Sequence, residues 1–310
     1  MRVLVTGATG FVGTHLVPRL EAAGHEVWGT HRPGVALAAV LPRVRLLPLE
    51  VADPSSWTGA LARARPEAVV HLAGYAAVGR SWEEPREAVR TNVLGTLNLL
   101  EAVRAAGMDP VILSIGSGDE YGAVEELPVR EDTPARPGNP YAVSKLAQGL
   151  LALEYHRRHG MRVVHLRPFN HIGAGQAPGF LVSDLARQIA LMEAGRQELK
   201  LRVGNLDTAR DYLDVRDVAA AYALALAAAE PGQVYNVASG RARTGREILQ
   251  GLLALTSLRV EVTEDPRLFR PSDTPVVVGD AGKFRAATGW RPRYRLEESL
   301  RSALDGWRGG

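Results

Sequence analysis

The sequence RVLVTGATGFVG, residues 2–13, joins an apolar strand pattern to a glycine-rich turn and the start of a helical pattern. Gly7, Gly10 and Gly13 let the backbone turn tightly and approach a bound anion closely. The free N–H groups and the dipole at the start of the helix then favour a phosphate group. The same spacing also occurs in strand–helix turns without a ligand, so its meaning depends on the chain around it.

Five further apolar runs have the length and composition of strands and alternate with helical patterns, at residues 27–29, 44–49, 68–72, 111–115 and 162–166. Near-continuous Val, Ile and Leu indicate burial on both faces, which is typical of parallel sheets covered by helices. Repeated strand–helix–strand units predict a Rossmann-type, doubly wound α/β fold. The glycine-rich turn follows the first strand of this series, where such folds bind dinucleotides.

The regular alternation of strands and helices ends near residue 168. Glycine and proline cluster at residues 168–179 and 266–275, which predicts loops over a ligand. The strand-like run at 233–237 indicates a return to the main sheet. We therefore predict a Rossmann domain at residues 1–168, joined by residues 211–238, and a small C-terminal substrate-binding region formed by residues 169–210 and 239–310.

Composition and charge argue against several classes of protein. The 310 residues carry 37 basic and 34 acidic side chains without a basic run, so neither nucleic acid nor an anionic membrane is an expected partner. The absence of cysteine excludes disulfides and thiolate metal sites, and His156 and His159 have no suitably spaced third ligand, so we expect no metal site. With no signal-peptide pattern and no apolar run long enough to span a bilayer, we expect a cytoplasmic protein.

The end of the second predicted strand indicates which dinucleotide is bound. An acidic residue there would bind the adenosine 2′-hydroxyl of NAD, but residues 29–33 read GTHRP and contain no carboxylate. Arg32 could instead pair with the 2′-phosphate of NADP. We therefore predict NADP(H) as the cofactor, with NAD(H) left open as a further one. A solvated Arg32 without a cofactor role is the alternative interpretation.

Residues 141–145, YAVSK, place Tyr141 and Lys145 one helical turn apart on the same face. A lysine ammonium beside a phenol lowers the pKa of the phenol, so that the phenol exchanges a proton near neutral pH. Lys145 can also hold the nicotinamide ribose. Ser117 follows the strand pattern at 111–115, at the edge where open α/β sheets bind ligands, and its hydroxyl could hold a substrate carbonyl before Tyr141. An exposed Tyr–Lys pair and a turn serine are the alternative interpretations.

Ser117, Tyr141 and Lys145 match the catalytic triad of the extended short-chain dehydrogenases/reductases, and the chain resembles this superfamily nearly from end to end. The stretches HLA at 71–73, NVLGT at 92–96 and RPFN at 167–170 belong to the same resemblance. It implies an oxidoreductase whose cofactor contacts Gly7, Gly10, Phe11, Val12, Gly13, His31, Arg32, Glu50, Val51, Leu72, Ala73, Asn92, Tyr141, Lys145 and Pro168.

The second half resembles the enzymes of GDP-mannose metabolism, through FNHIGAGQ at 169–176, VGNLDTARD at 203–211 and RPSD at 270–273. The pattern is most similar to the reductases of this group that form GDP-D-rhamnose. The resemblance implies reduction of the 4-keto group of GDP-4-keto-6-deoxy-D-mannose by NAD(P)H, and a homodimer built as a four-helix bundle of the helices near 83–106 and 141–159. It places against the substrate Ser117, Asp119, Asn170, Arg187, Gly204, Asn205, Arg210, Arg270 and Asp273.

Other activities remain open at this point. GDP-mannose 4,6-dehydratases carry a Glu two residues after the triad Ser/Thr, where this chain has Asp119 followed by Glu120. Their loop after the second strand is also longer than residues 33–42. Both departures favour a reductase over a dehydratase. A nucleotide-sugar 4-epimerase would recycle a tightly held cofactor, and a non-catalytic NADP-sensing module would have no need of the intact triad.

Overall fold

The computed structural model describes residues 1–35, 41, 43–265 and 274–309. Seven parallel strands, numbered along the chain, form the main sheet: β1 Arg2–Thr6, β2 Glu26–His31, β3 Arg45–Pro48, β4 Ala68–His71, β5 Val111–Ile115, β6 Val163–Pro168 and β10 Val234–Val237. Their order across the sheet is β10-β6-β5-β4-β1-β2-β3. The strand order reverses beside β1, which confirms the predicted doubly wound α/β fold.

The helices are α1 Phe11–Ala22, α2 Pro54–Ala64, α3 Pro85–Val89, α4 Gly95–Ala105, α5 Pro140–His159, α6 Leu181–Glu193, α7 Val215–Ala228, α8 Gly245–Leu253, α9 Gly282–Thr288 and α10 Leu296–Arg308. The helical segment predicted at 83–106 runs without a gap from residue 85 to residue 105, and a π-helical turn at Arg90–Leu94 lies between α3 and α4. This turn directs Asn92 inward, and such bulges often mark functional sites. No helix in the described ranges is both long and apolar enough to cross a membrane.

The main sheet is apolar on both faces because alternate side chains of each strand enter different cores. In β1, Val3 and Val5 lie in a cluster with residues of α1 and α7. Leu4, between them, lies in a second cluster with Trp57 of α2 and Leu99 of α4. This arrangement explains the near-continuous apolar runs that predicted buried parallel strands.

The remaining strands lie beyond the main sheet: β7 Asn170–Ile172, β8 Lys200–Val203, β9 Ala209–Asp214, β11 Ala242–Thr244, β12 Glu261–Glu264 and β13 Val276–Val277. Strand β9 is central to one small sheet and pairs with β7, β11 and β13, while β8 pairs with β12. A third apolar cluster joins these strands to α6, α8 and α10. Strand β10 lies outside this region, beside β6 in the main sheet.

Substitutions at two helical glycines, one in α5 and one in α2, test how closely α5 packs on the main sheet. A Cβ at Gly149 would overlap the imidazole Nε2 of His165, whereas a Cβ at Gly59 in α2 would meet open space. We expect Gly149→Ala to lower the free energy of unfolding by about 1–3 kcal/mol, as overpacking does. The matched control Gly59→Ala should raise it by up to about 1 kcal/mol, because alanine favours helix. Urea denaturation measures both, and equal effects would contradict the packing described here.

Candidate active site

The three residues of the predicted triad lie together at the carboxyl ends of the central strands. Ser117 follows β5, while Tyr141 and Lys145 extend from the first turns of α5. Each is at least nine-tenths buried. The Ser117 hydroxyl lies close enough to the Tyr141 phenol to affect its pKa, so the two side chains belong to one site.

Tyr141 has a raised pKa, which differs from the sequence-based expectation. Burial is the main cause, the neighbouring carboxylates of Asp119 and Glu120 raise the pKa further, and only the hydrogen bond with Ser117 lowers it. Lys145, which the sequence predicted to lower this pKa, is not among the causes of the shift, and its ammonium donates to the carbonyl of Ile115. The phenol is therefore protonated at neutral pH and is available as a proton donor.

Lys145 is held by two acceptors at the end of β5. Its Nζ donates to the carbonyl of Ile115 at 2.8 Å and to Oε1 of Gln148 at 3.1 Å. Burial lowers the pKa of Lys145 to about 8, and the Glu120 carboxylate offsets part of that effect. Gln148 was missed by sequence reasoning, although its position three residues after Lys145 on the same helix was a usable signal.

Glycine at position 74 keeps the space beside the lysine open. A Cβ there would lie 3.3 Å from Nζ of Lys145 and 2.9 Å from Oδ1 of Asn92. Asn92 itself uses its amide to brace the site: Oδ1 accepts from the backbone N–H of Tyr75 at 2.8 Å, and Nδ2 donates to Oγ of Ser144 at 2.9 Å. The structure thus places this predicted cofactor contact between the loop after β4 and helix α5.

Glu120, beside the triad, is fully buried and fully engaged. It accepts from Nε of Arg167 at 2.7 Å and from the backbone N–H of Ser117 at 2.9 Å, and its carboxylate lies 3.2 Å from Nε2 of His165. Although burial opposes the charged form, His165, Arg167 and the Ser117 N–H lower the pKa of Glu120. This carboxylate therefore holds the serine loop in place. Asp119 is half-buried and lies near Tyr141.

The glycine-rich turn has the form of a phosphate cradle. Gly7 has a positive φ of 65° and approaches the backbone of Ala73 so closely that a Cβ would lie 3.1 Å away. Gly10 precedes α1 and offers no side-chain cap, which leaves the N–H groups of the first turn, including Phe11, Val12 and Gly13, for an anion. A dinucleotide pyrophosphate fits these features.

Thr6 and His71, the last residues of β1 and β4, contact each other beside the glycine-rich turn. Oγ1 of Thr6 accepts from the backbone N–H of Ala73 at 3.0 Å and lies 2.9 Å from Nδ1 of His71. Burial and the Lys145 charge lower the pKa of His71 to about 3, so its imidazole is neutral. Leu72 and Ala73 are thereby fixed beside the glycine-rich turn, on the side of the site where the cofactor was predicted.

The other predicted cofactor residues lie at the ends of strands. His31 ends β2 and Arg32 follows it, and Nε of Arg32 lies 3.3 Å from Oε2 of Glu50, which comes shortly after β3. Val51 is buried, and its carbonyl accepts from the indole N–H of Trp57 at 2.9 Å. The buried residue Pro168 ends β6. Arg32 thus pairs with a carboxylate where a phosphate was predicted.

The predicted substrate residues lie on several elements beyond the main sheet. Asn170 begins β7 and is exposed, and Oδ1 of Asn205, which follows Gly204, accepts from the N–H of Asp207 at 2.9 Å. Arg210, on β9, donates to the carbonyl of Thr274 at 2.7 Å. The Nε of Arg187, on α6, is buried and has no hydrogen-bond partner among the described residues. Arg270 and Asp273 lie outside the described residues.

An aromatic contact joins the cofactor side of the site to the substrate side. The rings of Phe11 and His171 stack with a centroid distance of 5.8 Å and an interplanar angle of 8°. One turn further along α1, Nε2 of His15 lies 2.9 Å from the carbonyl of Ala174. Sequence reasoning placed Phe11 at the cofactor but missed these contacts, because the partners are far apart in sequence.

Comparison with known proteins agrees with this geometry. Residues 4–303 match the family described as GDP-mannose 4,6 dehydratase. A GDP-6-deoxy-D-mannose reductase from Pseudomonas aeruginosa is 42% identical over 308 residues, which cover 99% of this chain and 97% of that protein. A UDP-glucose 4-epimerase from Mycolicibacterium smegmatis is 32% identical, with 99% of each chain covered.

Two solved structures have the same fold over the full chain. The structure of RMD from Pseudomonas aeruginosa complexed with NADPH has a TM-score of 0.86 and 40% identity, covering 100% of this chain and 99% of that one. The complex of the Thermus thermophilus UDP-glucose 4-epimerase with NAD has a TM-score of 0.90 and 34% identity, covering 100% of both. The resemblance drawn from the triad and the glycine motif is confirmed.

The Glu120 cluster yields a stability prediction. Glu120→Ala leaves Arg167 and His165 buried without their acceptor, and we expect the free energy of unfolding to fall by about 3–5 kcal/mol. The exposed pair Arg130–Asp132 provides the control, since Asp132→Ala should change it by less than about 1 kcal/mol. Because folding lowers the pKa of Glu120 from 4.5, the wild-type advantage should shrink as the pH falls below that value. Denaturation of both proteins between pH 3 and 7 measures this difference in the free energy of unfolding. A difference that grows on acidification would refute the assignment.

Proposed function

The chain belongs to the GDP-mannose 4,6 dehydratase family, and within it we propose that the protein reduces the 4-keto group of GDP-4-keto-6-deoxy-D-mannose with NAD(P)H. The product is GDP-D-rhamnose, which is GDP-6-deoxy-D-mannose. The observation that carries the reaction type is the buried, protonated Tyr141 beside Ser117. The substrate follows from the full-length likeness to the P. aeruginosa reductase.

The chain's residues divide the work between binding and proton transfer. Bound NAD(P)H supplies the hydride that reduces C4. The first turn of α1 holds the pyrophosphate, and Lys145 holds the nicotinamide ribose. Ser117 donates a hydrogen bond to the substrate carbonyl and orients it, and Tyr141 donates its proton to O4. Tyr141 is protonated at neutral pH, as a proton donor must be when the substrate binds.

The carboxylates beside the triad favour reduction over dehydration. A dehydratase needs a base to remove the C5 proton, at the position where this chain has the shorter Asp119. Glu120 cannot take that role, since its oxygens are bound by Arg167, His165 and the Ser117 N–H in a fully buried cluster. A 4-epimerase recycles its cofactor, whereas the proposed reductase consumes one NAD(P)H for each product formed.

The reaction is tested by incubating the protein with GDP-4-keto-6-deoxy-D-mannose and NADPH. We expect the absorbance of NADPH to fall in equal amount to the product, which mass spectrometry and NMR should identify as GDP-D-rhamnose. Incubation with GDP-mannose alone tests for dehydration. Turnover of a nucleotide sugar without net loss of NADPH would show an enzyme that recycles its cofactor, an epimerase or a dehydratase, and would overturn the proposal.

The proton donor is tested by Tyr141→Phe. The ring keeps its packing but loses the hydroxyl, so kcat should fall by a factor of roughly 10² or more while NADPH affinity stays unchanged. Tyr155→Phe, on the same helix but with its hydroxyl bonded to Glu101, should retain kcat within about a factor of two. Near-normal turnover of Tyr141→Phe would remove the assigned role.

The unpartnered Nε of Arg187 makes this residue the substrate contact best suited to a test. We propose that it donates to the GDP phosphates, since a guanidinium binds phosphate oxygens well. Arg187→Ala should weaken GDP binding by about 1.5–3 kcal/mol and leave NADPH binding unchanged. Arg196→Ala, an exposed arginine shortly after the same helix, is the control. Calorimetric titration of GDP into the wild type and the two variants measures these affinities. Equal affinity for all three proteins would place Arg187 outside the site.

An exposed apolar surface supports a homodimer that joins α4 and α5 of two copies into a four-helix bundle. Val143 and Leu150, two turns apart on α5, are 48% and 55% exposed, and Trp82, Val89 and Leu94 are exposed on the segment that leads into α4. Isolated proteins rarely present such a patch to water.

A cytoplasmic location, expected from the sequence, remains a prediction.

The dimer is tested by placing a charge in this surface. Leu150→Glu should give a monomer by light scattering at micromolar concentration, because an unpaired carboxylate in an apolar interface is strongly unfavourable. Leu199→Glu, an equally drastic change at an exposed leucine outside this surface, should leave the dimer intact. A wild-type protein that is itself a monomer under these conditions would contradict the proposal.

A further inference from the structure

Four charged side chains form a closed ring at the adenosine end of the cofactor site. Arg32 follows β2, Glu50 follows β3, Glu87 lies on α3, and Arg90 begins the π turn. Going round the ring, the distances are 3.3 Å from Arg32 Nε to Glu50, 3.7 Å from Glu50 to Arg90 Nη1, 2.9 Å from Arg90 Nε to Glu87, and 3.8 Å from Glu87 to Arg32 Nη2. Positive and negative groups alternate, and the ring is neutral.

The two arginines of the ring are held with different strength. Arg90 and Glu87 form two hydrogen bonds, of 2.9 and 3.1 Å, and Oγ1 of Thr91 donates a third to Glu87 at 3.1 Å. Among the described residues, Arg32 makes two ion pairs, of 3.3 and 3.8 Å, and its side chain is 59% exposed. Exposed pairs of this kind contribute about 0–1 kcal/mol, so Arg32 can leave the ring at small cost.

A phosphate at this position competes directly with the two carboxylates. It carries more charge than a carboxylate and forms charge-assisted hydrogen bonds with guanidinium groups in bidentate geometry. Two guanidinium groups from different elements, those of Arg32 and Arg90, already face the same point. A 2′-hydroxyl in place of the phosphate offers no charge, and the neutral ring then leaves no cation unpaired.

We propose that this ring sets the preference between NADP(H) and NAD(H): Arg32 and Arg90 bind the 2′-phosphate, and Glu87 is the anion that the phosphate displaces. The inference rests on the proposed cofactor and adds Glu87 and Arg90 as specificity-determining residues. On this proposal the ring stays closed beside NAD(H) and opens for NADP(H).

Two single substitutions should change cofactor preference in opposite directions. Glu87→Gln removes one of the two carboxylates that pair with the arginines, so affinity for a 2′-phosphorylated nucleotide should rise about threefold to tenfold, as expected from one weak ion-pair network. Arg90→Gln leaves Glu50 and Glu87 facing Arg32, so the same affinity should fall about tenfold. The double variant Glu87→Gln/Arg90→Gln should lie between the two.

The probes are 2′,5′-ADP and 5′-ADP, titrated calorimetrically into each protein, so that no catalysis is required. Glu26→Gln is the control, because it removes a carboxylate from an ion pair with Arg45 at the opposite end of β2. Affinity for 5′-ADP should stay within about twofold in every variant, and Glu26→Gln should match the wild type with both probes. Thermal melting confirms that each variant is folded.

The outcomes separate this inference from the proposed function. A wild type that prefers 2′,5′-ADP, with Glu87 and Arg90 variants that keep the same preference, overturns the ring alone. A wild type that binds both probes equally overturns the NADP(H) preference and the ring with it, while reduction of the keto-sugar is tested separately. Opposite shifts in the two single variants, confined to the 2′-phosphorylated probe, support the inference.

Discussion

A buried carboxylate, that of Glu120, holds the active-site edge of the main sheet together. It links the loop after β5 to Arg167 and His165 on β6 and fixes the backbone of Ser117. The neighbouring sequence is adapted to it: a Cβ at Gly116 would overlap the carboxylate, and one at Gly149 would overlap His165. A buried charge needs such complete pairing, and the pairing in turn places the serine hydroxyl against Tyr141.

Burial gives the tyrosine and the lysine of the triad opposite pKa shifts. It raises the pKa of Tyr141 and lowers that of Lys145 to about 8, because in both cases it favours the neutral form. The lysine nevertheless keeps two hydrogen-bond acceptors, Ile115 O and Gln148, and so stays oriented towards the cofactor side. The tyrosine stays protonated, which is the state that reduction of a carbonyl requires.

The two halves of the site are mechanically connected through α1. The helix whose uncapped first turn follows the glycine-rich loop also carries Phe11, stacked on His171, and His15, whose Nε2 lies 2.9 Å from the carbonyl of Ala174. Further out, Arg210 ties β9 to the backbone at Thr274. The predicted cofactor and substrate regions therefore both contact α1. A displacement of one region would shift the other, because packed interiors do not deform freely.

The sequence by itself determined the parallel sheet, the glycine-rich turn and the triad, because these signals are local: apolar runs, a fixed glycine spacing, and Tyr141 and Lys145 one turn apart. The tertiary structure decided which groups surround them. Glu120 meets Arg167 from 47 residues away, and Thr6 meets His71 from 65 residues away. The raised pKa of Tyr141 likewise follows from packing, since burial and long-range partners leave no periodic trace in the chain.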